Sequence, residues 1–205
     1  PYQYGANNPV NNIDVNGDSI WYTRNGDIVT MHVTAKIFNN SSDNINMARA
    51  AKDIVSDIKS TYEGKFEWSD NKTYNLKVDM DLKVATSMKD VENSDHLFVL
   101  ADSDSKGARG ATSMLGGKVM TLASSDFANN NWLSNNLSYN KTFTATHEFG
   151  HAIGLSHSQN PFNIMKQGGV VHNSNSNQRV IMLQQQNNLN NNLVVDIYNL
   201  GLKWR

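Results

Sequence analysis

A chain of 205 residues with 39% hydrophobic side chains and four Trp is long enough for one substantial domain, or one domain with a small appendage. Its net charge of −1, with Lys and Arg scattered among Asp and Glu, makes no electrostatic case for nucleic acid or an anionic membrane as partner. The absence of cysteine excludes a disulfide framework, thiolate metal ligands and a Cys nucleophile, and no segment approaches the roughly 18 apolar residues that span a bilayer.

In chain order, the opening PYQYGANNPVNNIDVNGDSIW is crowded with Asn, Gly and Pro and spells neither a strand nor a helix. It has no initiator Met and no apolar leader, so a fragment is expected, with any targeting signal upstream. Residues 27–38 alternate, with Val29, Met31, Val33, Ala35 and Ile37 on one face and Thr30, His32, Thr34 and Lys36 on the other, which predicts a half-buried strand. Ser and Asp caps then precede apolar residues at helical spacing, from Ala48 through Ile54 and Ile58 to Tyr62, predicting a helix over about 44–62.

A second alternating run covers 76–84, and 95–102 reads as a short buried strand. A Gly-rich loop over 103–117, a short strand over 118–124 and an Asn-rich loop over 129–140 follow. A helix is expected from about 141 to 154, and a closing helix over about 176–200 despite its many Asn. Strand, helix, three strands, helix, turn and helix make an α/β pattern with a long first helix packed on a sheet, without internal repeats.

The stretch TATHEFGHAIGLSHS, 144–158, carries the chemistry. His147 and His151 are four apart on a helix, so both imidazoles project from one face and can meet a single zinc ion. Glu148, beside the first His, is placed to reach a water held there without ligating the metal. Gly154 stands where a positive φ stops the helix, and His157 returns as third ligand. Three neutral nitrogens leave a fourth position open, the mark of a catalytic zinc. A bare H-E-x-x-H also occurs on exposed charged helix faces; the longer pattern is more demanding because every added residue has a geometric job. His32 and His96 stand alone, His32 with a solvent-facing expectation, and His172 is assigned nothing.

HEFGHAIGLSHS, through Ser158, resembles the metzincin clan of zinc endopeptidases, and within it the matrixins. The resemblance implies an α/β (α+β zincin) fold: a twisted, mostly parallel sheet with an antiparallel edge strand, a long first helix, an active-site helix and a C-terminal helix. It implies one catalytic Zn2+ on His147, His151 and His157, Glu148 as base and then acid, and a protein or peptide substrate. Met165 in PFNIMKQ, eight residues after His157, would be the Met of the Met-turn beneath the metal. GARGATSMLGGKVMTLAS resembles the bulged loop and edge strand along the cleft, which places Gly117, Lys118 and Val119 near substrate, where an extended peptide can pair antiparallel.

The departures also matter. Gln167 stands where astacins and serralysins carry a metal-associated Tyr, and KQGGVVH replaces the matrixin Pro-x-Tyr wall, leaving pocket size open. The structural His-x-Asp zinc site of animal matrixins has no counterpart. Asp102 and Asp104 beside the Gly-rich loop could hold Ca2+, although a solvated loop is the more ordinary reading.

At the other end, YQYGANNPVNNIDVNG resembles the close of the Rhs/YD-repeat core, with Tyr2, Tyr4, Asn7, Asn8, Pro9, Asp14 and Gly17 matching. This divides the chain into a core tail or linker, 1–18, and a protease domain, 19–205. It implies the C-terminal toxin of a polymorphic secreted protein, delivered into a target cell, with the Rhs shell and a cognate immunity protein as partners. Val15 and Asp18 depart from the self-cleavage signature, so release by self-cleavage stays open. The alternatives are a general secreted degradative protease and a binding module that kept the fold; retention of Glu148 argues against the second.

Overall fold

The computed structural model describes residues 19–68, 71–102, 109–128, 142–168 and 174–185. The Rhs-like opening, Asp104, the Asn-rich loop, His172 and the second half of the expected closing helix lie outside them.

Strand β1 (Ile20–Asn25) turns into β2 (Ile28–Asn39) as an antiparallel hairpin. The alternation read in β2 is the one observed: Val29, Met31, Val33, Ala35 and Ile37 are buried. Helix α1 (Met47–Tyr62) follows, capped by the Asn46 side chain accepting from the Arg49 N–H at 3.0 Å. It starts three residues later than the 44 expected, because the cap is Asn46. Ala50, Ala51, Ile54, Ile58 and Tyr62 are its buried stripe.

Then come β3 (Gly64–Glu67), β4 (Thr73–Val84), β5 (His96–Ala101), β6 (Gly110–Thr112) and β7 (Val119–Ala123). Helix α2 (Phe143–Ala152) and helix α3 (Ser176–Gln185) complete the described elements.

The strand order is β3-β4-β2-β5-β7-β6, with β1 also paired to β2. Strands β4, β2, β5 and β7 run parallel, and β3 and β6 close the two ends antiparallel. The mostly parallel sheet expected from the sequence is therefore present, with an antiparallel strand at each end. β1 and β5 share one side of β2 in succession: β1 pairs with residues 28–33 and β5 with 35–39. Ser19 closes the seam between them. Its carbonyl accepts from Thr34 N at 2.8 Å, and its hydroxyl bonds His96 Nδ1.

Side chains from α1, the sheet, α2, Ile164, Met165 and Met182 form one continuous core. Leu97, Val99 and Val119 form a second, smaller cluster. Each fully buried side chain of the size of Ile54 or Phe149 contributes roughly 1.5–3 kcal/mol. Arg179 of α3 ties the C-terminus of α1 to this body. It donates to the carbonyls of Tyr62 and Glu63, at 2.8 and 3.0 Å, where the helix has no partners of its own to offer.

His32 departs from the solvent-facing expectation. It is half-buried, stacked on Trp21 with ring centroids 5.1 Å apart and bonded to Asp79 and Thr23. The polar face of β2 is covered by its neighbours on β1 and β4, which a single strand's alternation cannot report.

Candidate metal centre

Helix α2 is buried along nearly its whole length, His147 and Glu148 included. It ends at Ala152, two residues before the 154 expected. Gly154 takes φ 90°, its N–H bonds the His151 carbonyl at 3.0 Å, and Leu155 N bonds the Gly150 carbonyl at 2.8 Å. This pair of bonds is the Schellman arrangement, and the left-handed residue it requires turns the chain back across the helix end. The return carries His157 to the other two histidines.

The ligand atoms of His147, His151 and His157 all lie within 4.8 Å of one another. His151 Nε2 and His157 Nε2 are 3.2 Å apart. Two nitrogens each about 2.0–2.1 Å from one tetrahedral zinc stand about 3.3 Å apart, so this is ligand spacing. The far side of two rings is held by main-chain carbonyls: His147 Nδ1 lies 2.7 Å from Ile164 O, and His151 Nδ1 lies 2.7 Å from Leu155 O. Each such bond fixes the hydrogen on Nδ1 and leaves the Nε2 lone pair facing the centre. Burial lowers the pKa of both rings, which favours the neutral, metal-binding imidazole. The donor set therefore fits one zinc ion with a position left for water or substrate.

Glu148 is 7% exposed, and burial pushes its carboxyl above the usual range against the opposing hydrogen bond from Thr112. Met165 is fully buried beneath the helix. A Cβ added to Gly150 would lie 2.2 Å from Met165 Sδ and 2.5 Å from Tyr62 Oη, so only glycine lets the helix rest on this methionine. Tyr62 donates to the Thr146 carbonyl at 2.9 Å, and Thr146 Oγ1 donates to Asp57 at 2.8 Å, which locks α1 to α2.

The turn itself is clamped. Asn163 Oδ1 accepts from Met165 N at 2.9 Å, and the Asn163 and Gln178 amides exchange two hydrogen bonds, at 2.8 and 2.9 Å. Sequence reasoning missed Thr112, Asn163 and Gln178. A Thr in a Gly-rich loop and two amides fifteen residues apart carry no periodic signal.

Gly117, Lys118 and Val119, expected near substrate, lie one strand in from the end of the sheet. β7 has β5 on one side and β6 on the other, so among the described residues Gly110–Thr112 is the outermost strand at this end. Gly117 is buried, its N–H bonded to Met114 O at 2.9 Å. Lys118 is buried, with Nζ donating to the Asn93 carbonyl at 3.1 Å. Val119 packs in the smaller core cluster. Asp102 Oδ1 accepts from Ser42 N at 3.3 Å. Among the described residues, His147, His151 and His157 are the group of three or more side chains able to share a metal.

Comparison with solved structures finds likenesses at low identity. Archaemetzincin from Methanopyrus kandleri is 12% identical, with TM-score 0.47, over 75% of this chain and 96% of that one. Metalloproteinase-II from Bacteroides fragilis is 15% identical, with TM-score 0.43, over 74% of this chain and 52% of that one. Archaemetzincin from Archaeoglobus fulgidus is 16% identical, with TM-score 0.37, over 72% and 90%. Comparison with curated proteins gives no significant match. The family model of the matrixins matches residues 21–188, a span that holds the three histidines, Glu148 and Met165, and the chain belongs to the matrixin family.

Proposed function

We propose that this matrixin is a zinc-dependent endopeptidase acting on protein substrates. The observation that carries the reading is the convergence of three imidazoles oriented for one metal, with a buried carboxylate on the adjacent residue. Zinc held by His147, His151 and His157 supplies Lewis-acid polarisation of a carbonyl and makes water a stronger acid. The chain's own groups do the rest. Glu148 would take a proton from water as the water oxygen adds to the carbonyl carbon, and return it to the amine as the C–N bond breaks. Burial raises the affinity of this carboxylate for a proton, against the hydrogen bonds from Thr112. Among the described residues β6 is the last strand at this end of the sheet, where an extended peptide could pair with its main chain.

The test is a pair of proteins, wild type and Glu148→Ala, assayed for zinc content and for cleavage of an unfolded polypeptide. Both should hold one zinc, and the variant should be slower by about 100-fold or more. A wild type that holds one zinc and cuts no polypeptide would overturn the reading.

The match of Tyr2, Tyr4, Asn7, Asn8, Pro9, Asp14 and Gly17 to the close of an Rhs core supports a narrower reading. In it the peptidase is the C-terminal effector of an Rhs-type secreted protein, sequestered by the shell, delivered into a target cell and neutralised in the producer by an immunity protein. Production of the domain inside a bacterium should then arrest growth, and growth equal to that with Glu148→Ala would contradict the toxin role. A calcium ion on Asp102 and Asp104 would add stability without adding chemistry; a melting temperature of the zinc-loaded protein that rises with calcium is its test.

A further inference from the structure

β6 is only three residues long, yet one of its side chains reaches the base. Thr112 Oγ1 lies 2.7 Å from Glu148 Oε2 and 3.0 Å from the Glu148 carbonyl. We propose that Thr112 is a positioning residue for peptide hydrolysis, holding Glu148 Oε2 so that Oε1 alone exchanges the proton with water and leaving amine. The proposal rests on the peptidase reading above.

A hydroxyl has a single hydrogen, so it donates to one of these two oxygens at a time. An ionised carboxylate is the stronger acceptor, so the hydrogen goes to Oε2. The Thr112 main chain also hydrogen-bonds the Glu148 carboxylate, and the hydroxyl adds a bond to one named oxygen, Oε2, which fixes how the carboxylate is turned.

The other oxygen is kept clear by the same strand. Residues two apart on a strand share a face, so Gly110 and Thr112 both look toward α2. A Cβ at Gly110 would stand 3.0 Å from Glu148 Oε1 and 2.4 Å from Thr144 Cγ2, so a side chain there would cover the oxygen that must stay open. The last described strand of the sheet thus bears on both oxygens of the base: Thr112 Oγ1 on Oε2, and the bare Cα of Gly110 beside Oε1. Through the proton's passage from water to Glu148 and on to the amine, Thr112 keeps its own hydrogen.

The test uses the zinc-loaded chain with Thr112→Val, which keeps the shape and removes the hydroxyl, and Thr112→Ser, which keeps the hydroxyl. Zinc content should be unchanged in both. For Thr112→Val, kcat should fall by about 10- to 100-fold with KM unmoved, and Thr112→Ser should restore most of it. In the metal-free protein, the Glu148 side-chain carboxylate resonance, assigned by its loss in Glu148→Gln, should shift in Thr112→Val and stay in place in Thr112→Ser.

Wild-type kcat and an unmoved resonance in Thr112→Val would overturn the proposal. So would loss of zinc in Thr112→Val with no rescue by Ser, which marks a structural role. Should the Val protein fail to fold, Thr112→Ala gives the same readings. Failure of the peptidase reading looks different: the wild type itself then cuts nothing while the resonance still shifts, and the catalytic role of Thr112 falls with it.

Discussion

The metal centre and the seam between β1 and β5 both bury histidine, and they put it to opposite uses. At the centre, His147 and His151 spend Nδ1 on carbonyls and aim Nε2 at a common point with His157. At the seam, His96 spends Nδ1 on the Ser19 hydroxyl, and its buried Nε2 finds no hydrogen-bond partner among the described residues. The charged group that bears on it is Lys118, a cation that opposes any second positive charge. Burial alone therefore does not make a metal site. Convergence of lone pairs without a competing cation does.

Acid breaks this comparison most strongly. Burial, reinforced by Lys118, lowers the His96 pKa to about 3 from the ordinary 6.5. The unfolded chain takes up this proton below pH 6.5, and the folded chain resists until about pH 3. The stability that His96 contributes is thus complete above 6.5 and is lost as pH falls through that window, at a slope approaching about 1.4 kcal/mol per pH unit. Acid also releases zinc from the imidazoles, so the measurement belongs to the metal-free protein. Denaturant unfolding of wild type and His96→Gln from pH 7 to pH 4.5 should give curves that diverge on the acid side. Parallel curves would remove the seam's role.

A smaller effect sharpens the metal-centre half. Gln178→Ala leaves the buried Asn163 amide without two of its bonds and should cost about 1–3 kcal/mol of stability. Because Asn163 also holds Met165 N, the variant should lose zinc to a competing chelator sooner than wild type. An equal loss of stability with unchanged zinc retention would show that the clamp supports the core and not the metal.

What the sequence disclosed follows the same division. The convergence of the three histidines was legible because its geometry is local: two histidines one helical turn apart, a glycine where the helix must stop, and a third histidine three residues on. β2, β4 and β5 were legible from alternation or an apolar run, and α1 from its stripe. β3 was not, because only Phe66 of its four residues is buried, and a single point has no period. β6 is Gly-Ala-Thr and looks like loop. The burial of Lys118 was not legible either, because only the fold brings the Asn93 carbonyl to its amine. The carbonyls of Ile164 and Leu155 that orient the histidines are main-chain groups and leave no mark in the sequence at all.

The central claim, three imidazoles on one metal with a position left for chemistry, is tested most directly by X-ray absorption at the zinc edge on the zinc-loaded protein. The account predicts a first shell of three imidazole nitrogens at about 2.0–2.1 Å and one further light atom that an added small anion displaces. A closed shell of four protein ligands, or zinc bound by fewer than three imidazoles, would contradict it.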